Sequence, residues 1–156
     1  MSFNFTDLLL EAGHLVANAE TDKDICEILI EYINSAIKPD LSCFYIKNKS
    51  DNQVKLEIKK GFLPAPDVIA KESELLLFLS ESKEVVCLNT RKISPFEDLL
   101  LNDSMNSGMA ISIFFKEIEY GVLIVNSLKA FYFKQKELFF IENLISLVKN
   151  KDHIRS

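Results

Sequence analysis

The chain has no tryptophan, two histidines, three cysteines, four glycines and four prolines in 156 residues. So little Gly and Pro, beside 48 % hydrophobic and 26 % charged residues, excludes a collagenous, low-complexity or disordered protein. Cys26, Cys43 and Cys87 are an odd set without CxxC spacing, each inside an apolar segment. They are expected as reduced, buried thiols rather than a disulfide framework or zinc site. The two histidines, His14 and His153, fall on the first and last helical segments, so no imidazole cluster for a metal is expected. Cations are in deficit: 18 Lys and Arg against 23 Asp and Glu give a net charge of −5. Without a basic stripe to neutralise a phosphate backbone, nucleic acid is not expected as a partner. Long apolar runs are missing too. Leu75 to Leu79 is far short of a membrane span, and Met1-Ser2-Phe3-Asn4-Phe5 lacks a basic n-region and a small-residue cleavage site. The expectation is a cytoplasmic protein with no membrane contact.

What remains is ample for one domain, expected to span 1–156. At 17.8 kDa, area scaling lets roughly 69 % of the unfolded surface be buried, so no metal or disulfide staple is needed. Phe5, Leu8, Leu9, Ala12, Leu15, Val16 and Ala19 recur at three- and four-residue spacing, which predicts an amphipathic helix over 1–20. Thr21 followed by Asp22 and Asp24 reads as a helix start before Ile25, Ile28, Leu29, Tyr32, Ile33, Ala36 and Ile37. Pro39 restricts Lys38 to extended geometry and stops this second helix there.

Strand signals follow. Leu41 to Ile46 is apolar in both phases, as in a central strand covered on both faces, while Val54, Leu56 and Ile58 alternate with Lys55, Glu57 and Lys59. Asn48 to Asn52 reads as the hairpin loop between them. Phe62-Leu63-Pro64-Ala65-Pro66 breaks regular structure; a helix is predicted over 73–80 and a short strand over 85–88. Ser94-Pro95-Phe96-Glu97 carries a capping hydroxyl, a first-turn Pro and a Glu, which predicts a short helix through Leu101. Met109 to Phe115 and Tyr120 to Ser127 form an expected hairpin across 116–119, and a last helix is expected from Gln135 to Asn150. The architecture this describes is α+β: an antiparallel sheet with the terminal helices on one face and short helices and loops on the other. The core is expected over 21–134 and the C-terminal helix over 135–156.

The C-terminal half carries a resemblance. Asn106-Ser107-Gly108-Met109-Ala110-Ile111-Ser112-Ile113-Phe114-Phe115, then Glu119-Tyr120-Gly121-Val122-Leu123-Ile124-Val125-Asn126-Ser127, resembles the terminal hairpin of GAF domains. Phe133-Lys134-Gln135-Lys136-Glu137-Leu138 resembles the aromatic-then-helix entry that follows it. Ser112 stands where the family usually has Pro, and Lys134 where a Ser or Thr cap is usual. The PAS domain, a related sheet, suits two long N-terminal helices and a late hairpin less well. The resemblance implies a sensory, non-enzymatic role: a small molecule between sheet and covering segments, and terminal helices relaying the change to a partner or downstream effector.

The family's cyclic-nucleotide and bilin signatures are not present as sets, so the cofactor stays unassigned. One enzymatic branch of the family reduces free methionine sulfoxide with cysteines. Here Cys26 is predicted on a helix and Cys43 and Cys87 on strands, and no catalytic residue is assigned. The pocket is expected to use Tyr45, Phe62, Phe78, Met109, Ile111 and Phe114, with Ser80, Ser112 and Asn126 as polar contacts. The alternative is a filled interior, since large residues at strand spacing form ordinary core. The last helix shows an apolar arc wider than one sheet-facing stripe, and the first has a similar excess. A homodimer is therefore expected through Phe5, Leu9, Val16, Ile141, Leu144 and Val148.

Overall fold

The computed structural model describes residues 4–48, 50, 53–90, 96–149 and 151. Helix α1, Phe5–Ala17, starts where the Asn4 side chain accepts the Thr6 N–H at 2.8 Å. It buries Leu8, Ala12 and Val16, one stripe at four-residue intervals. Helix α2, Asp22–Ile37, is capped by Thr21, whose hydroxyl accepts the Asp24 N–H at 3.0 Å. Its end corrects the expectation at Lys38, which turns left-handed at φ 53° instead of extended. The Tyr132 hydroxyl donates to the carbonyls of Ile37 and Lys38 there, satisfying helix-end acceptors that have no partner inside the helix.

Strands β1 (Leu41–Lys47), β2 (Gln53–Lys60), β3 (Val68–Ala70), β4 (Val86–Leu88), β5 (Ser107–Phe115) and β6 (Ile118–Ser127) form one antiparallel sheet, ordered β3-β2-β1-β6-β5-β4. β1 lies inside it, as two-phase apolarity predicts. α3 spans Glu74–Ser82 and α4 spans Gln135–Lys149. The hairpin turn between β5 and β6 is two residues, Lys116-Glu117, not four, and the Lys116 N–H donates to the Lys149 carbonyl at 2.8 Å. This bond ties the end of α4 to the sheet.

Alternation divides the sheet into two faces. Phe44, Met109, Ile111, Ile113, Phe115, Leu123 and Val125 pack under α1, α2 and α4. Leu41, Cys43, Tyr45, Ala110, Val122 and Ile124 face the other way, toward Leu75, Leu76 and Leu79 of α3 and toward Leu99, Leu101 and Met105. Each aliphatic side chain buried in these layers contributes about 2 kcal/mol.

Two bulges break the alternation. In β2 the partner jumps from Leu56 to Ile58, so Glu57 is extra, and in β6 it jumps from Gly121 to Glu119, so Tyr120 is extra. A one-residue insertion reverses which face later side chains occupy. It sends Tyr120 to the helix face, where its ring meets Phe44 and Phe115 at 5.8 and 5.1 Å. Glu119 is thereby turned toward α3. Gly121 permits this geometry, because a Cβ there would sit 2.3 Å from the Tyr45 carbonyl oxygen.

Two further expectations change. Val68–Ala70 is a strand where sequence reading placed none. The helix predicted through Leu101 is only a 3-10 turn, Glu97–Leu99. Its proposed cap, Ser94-Pro95, lies outside the described residues. Leu100 is extended because Asn126 grips the chain on both sides of it: Nδ2 donates to the Leu99 carbonyl at 2.9 Å, and Oδ1 accepts the Leu101 N–H at 2.6 Å.

Candidate functional site

The α3-covered face carries a polar group of four. Register places Tyr45, Val122 and Ser112 in one row across β1, β6 and β5. Lys47 follows Tyr45 by two residues on the same face, and the Tyr120 bulge delivers Glu119 beside them. The Glu119 carboxylate accepts the Ser112 hydroxyl at 2.7 Å and the Ser80 hydroxyl of α3 at 2.8 Å, and pairs with the Lys47 ammonium. Its side chain is only 10 % exposed and that of Lys47 35 %, so the carboxylate is screened from water and neutralised by one cation and two hydroxyls. The chemistry of this group is hydrogen bonding, with no thiol or imidazole among its members. Mechanically it fastens α3 to three strands.

Of the residues expected to line a pocket, Ser80 and Ser112 meet here. Tyr45 is fully buried on the same face, and its hydroxyl donates to the Pro66 carbonyl at 2.7 Å. Burial raises its pKa, so the phenol stays protonated. Ile111 and Phe114 join Ser112 in lining a cavity of about 260 Å³ at the sheet end, beside Lys83, Glu142 and Lys149, and the remaining side chains are placed as follows. Met109 and Ile111 point to the helix face because they fall in the opposite phase of β5 from Ala110 and Ser112. Phe62 is fully exposed on the segment after β2, and Phe78 is exposed on α3 with its ring 5.5 Å from that of Phe96. Phe114 is half-buried at the sheet end beneath the Lys83 ammonium, 4.9 Å from the ring centroid. Asn126 is fully buried, with its amide bonded to backbone through both Oδ1 and Nδ2. Sequence reading missed Glu119 and Lys47, because period-2 alternation without the bulge turns Glu119 the other way.

The expected dimer contacts are corrected as well. Val16, Ile141, Leu144 and Val148 are buried in the chain's own core, and Phe5 and Leu9 pack against it, with the Phe5 and Phe140 rings 4.7 Å apart. The wide arc of α4 is explained by three neighbours, α1, α2 and β5. Hydrophobic side chains left outward on α1 are Leu10 and Leu15, 71 % and 42 % exposed.

The three thiols are free, and Cys43 is kept apart from the other two. Cys43 lines up with Ile124, Ala110 and Val86, so Cys87 lies three strand spacings away, about 14 Å, about twice the Cα reach of a disulfide. Cys26 is on α2 and packs, like Cys87, on the helix face, opposite to Cys43. Burial pushes the Cys43 thiol up to about 12 and raises those of Cys26 and Cys87, so none is a thiolate at neutral pH. Among the described residues no three His, Cys, Asp or Glu side chains come together as a metal site, and no helix is long and apolar enough to cross a membrane.

No family model matches the sequence, and no curated protein does. Solved structures do. The free methionine-R-sulfoxide reductase of Neisseria meningitidis, solved with its substrate, superposes with a TM-score of 0.79 at 14 % identity, over 96 % of this chain and 90 % of that one. The GAF domain of the Acinetobacter phosphoenolpyruvate-protein phosphotransferase gives 0.77 at 20 % identity, over 96 % and 92 %. The reduced free methionine-R-sulfoxide reductase of Staphylococcus aureus gives 0.77 at 17 % identity, over 96 % and 97 %. A GAF domain and reductases thus share this arrangement of sheet, helices and covering segments, and at such identities what they establish is architecture: this chain has the GAF fold.

Proposed function

We propose that the protein is a non-enzymatic regulatory domain of the GAF type, cytoplasmic and homodimeric, in which a small molecule acts by displacing α3 from the sheet. The observation that carries this reading is the Glu119 group. It is a polar and breakable fastening, at one end of α3, over a face otherwise closed by Leu75, Leu76 and Leu79. Because those side chains fill the space above Tyr45 and Val122, a ligand would take their place, and α3 would move as it entered. A hydroxyl or ammonium on the ligand would substitute for Ser80 at Glu119.

The enzymatic alternative is a cysteine-based reductase of free methionine sulfoxide, the activity named for the Neisseria and Staphylococcus neighbours. The raised pKa values of the three thiols and the separation of Cys43 from Cys87 count against it here. The test has two arms. Native mass spectrometry of the freshly purified protein is expected to give a dimer, with extra mass lost on denaturation; a monomer at all concentrations up to about 100 μM overturns the dimer, and a mass free of ligand overturns an occupied site. Free methionine-R-sulfoxide with dithiothreitol is expected to show no turnover above buffer. Turnover abolished by alkylating the thiols would replace this reading with the reductase.

A further inference from the structure

A groove of about 410 Å³ runs along the N-terminal half of α4, on the helix face of the sheet and so on the opposite side from the Glu119 group. Its size is that of a small-molecule site. The wall facing α4 is the edge strand β4, through Val85, which leads into the strand, and Asn89, which follows it. Among the described residues four phenylalanines are exposed, Phe62, Phe78, Phe131 and Phe139, and two of the four, Phe131 at 60 % and Phe139 at 66 %, line this groove. Each ring leaves a large apolar area in water, so two on one groove mark a place built to be covered.

Phe131 presents its ring at a backbone cost. Its φ is 56°, in the left-handed region that glycine enters easily and a bulky side chain does not. The other described non-glycine residues with positive φ are Lys38 and Lys83, which end α2 and α3, and Lys116 of the β5–β6 turn. Phe131 caps no helix and closes no hairpin; its N–H donates to the Asn89 carbonyl at 2.7 Å, which ties the ring to the end of β4. Polar groups reach the groove from both walls. Asn89 Oδ1 takes the weak S–H donor of Cys87 at 3.6 Å, so its amide N–H pair is what it offers a ligand. The Gln135 amide of α4 brings both a donor and an acceptor. Lys134 and Glu142, which also line the groove, are eight residues apart on α4, about 12 Å along the axis, so a ligand of one ring does not engage both.

We propose that this groove binds a small aromatic carboxamide, its ring against Phe131 and Phe139 and its amide between Asn89 and Gln135. The ligand carbonyl accepts from the Asn89 amide, and the ligand N–H donates to Gln135 Oε1. A flat ring covers the two phenylalanines through offset or edge contacts. An aliphatic ring of the same size loses those aromatic contacts, and a carboxylate in place of the amide has no donor for Gln135 Oε1.

The experiment is an NMR titration of the isotope-labelled full chain with benzamide, against cyclohexanecarboxamide and benzoate. Benzamide is expected to saturate in the millimolar range, to move the backbone amides of Asn89, Phe131, Gln135 and Phe139, and to bind several-fold tighter than either control. Phe131→Gly should weaken it by about fivefold or more and melt no lower than wild type, because glycine takes φ 56° without the steric cost. Lost binding with an unchanged melt is a pattern that a purely structural ring does not give. Gln135→Ala, at an exposed position, should weaken binding by about threefold or more, whereas Phe62→Ser, an exposed ring outside the groove, should leave it unchanged. If Phe131→Gly does not fold, Phe139→Ala, at an exposed position on α4, carries the test with a loss of about fivefold. Absence of saturation, shifts centred outside the groove, equal binding of either control, or binding that survives these substitutions in folded protein overturns the site.

Discussion

Replacing Glu119 tests the link between the β6 bulge and the docking of α3. In Glu119→Ala, the hydroxyls of Ser80 and Ser112 lose a charged acceptor, each bond worth about 1.5 kcal/mol. Lys47 is a third exposed and recovers much of its hydration, so loss of the ion pair adds less than about 1 kcal/mol. The expected destabilisation is about 3 to 4 kcal/mol, which for a chain of this length lowers Tm by roughly 10 °C. Glu119→Gln keeps the volume and one acceptor oxygen and should cost only about 1 to 2 kcal/mol. Urea unfolding followed by circular dichroism measures both, and hydrogen exchange locates the effect. Amides of α3 should lose protection in Glu119→Ala before those of β1 and β6, since the fastening joins α3 to the sheet. A double-mutant cycle with Ser80→Ala should return a coupling of about 1 kcal/mol. Stability within about 0.5 kcal/mol of wild type, or Glu119→Gln as damaging as Glu119→Ala, would refute the reasoning.

Other predictions follow from the same geometry. Gly121→Ala places a methyl 2.3 Å from the Tyr45 carbonyl oxygen and 2.6 Å from the Phe44 ring, so it should cost about 3 kcal/mol or more and yield little soluble protein. Asn126→Leu removes both bonds that grip Leu99 and Leu101; a loss of about 2 to 4 kcal/mol is expected, with limited proteolysis moving to the 97–106 segment. The raised thiols predict an alkaline limit. Cys43 ionises near its ordinary 9 when unfolded but only near 12 when folded, so its contribution is intact below about pH 9 and falls as pH rises toward 12. Urea midpoints that stay flat through this window would contradict it. Iodoacetamide at pH 8 should modify half-buried Cys87 before Cys26 or Cys43, both closed to solvent, as peptide mapping would report.

Much of the scaffold was legible because its signals are local. Thr21 before two aspartates, the 3.6-residue period of α2, the two-phase apolarity of β1 and the β5–β6 hairpin each depend on neighbours in sequence. Even the exchange of terminal helices on one face for short segments on the other followed from element order. The α3-side fastening was only half visible: Ser80 and Ser112 could be suspected as buried polar groups, while their acceptor could not. Alternation assigns Glu119 to the wrong face until the bulge at Tyr120 is known, and a bulge is decided by pairing with another strand. Met109 and Ile111 show a related limit, since period two shows that they share a face but not which layer covers it.

The sequence by itself determined most of the helices and strands and which residues are apolar enough to be core. Tertiary structure alone decided how that apolar surface is shared: the broad arc of α4 closes on α1, α2 and β5 within one chain. It also decided where charge collects. Lys47 and Glu119 are far apart along the chain, and they pair only because the bulge at Tyr120 turns Glu119 toward α3.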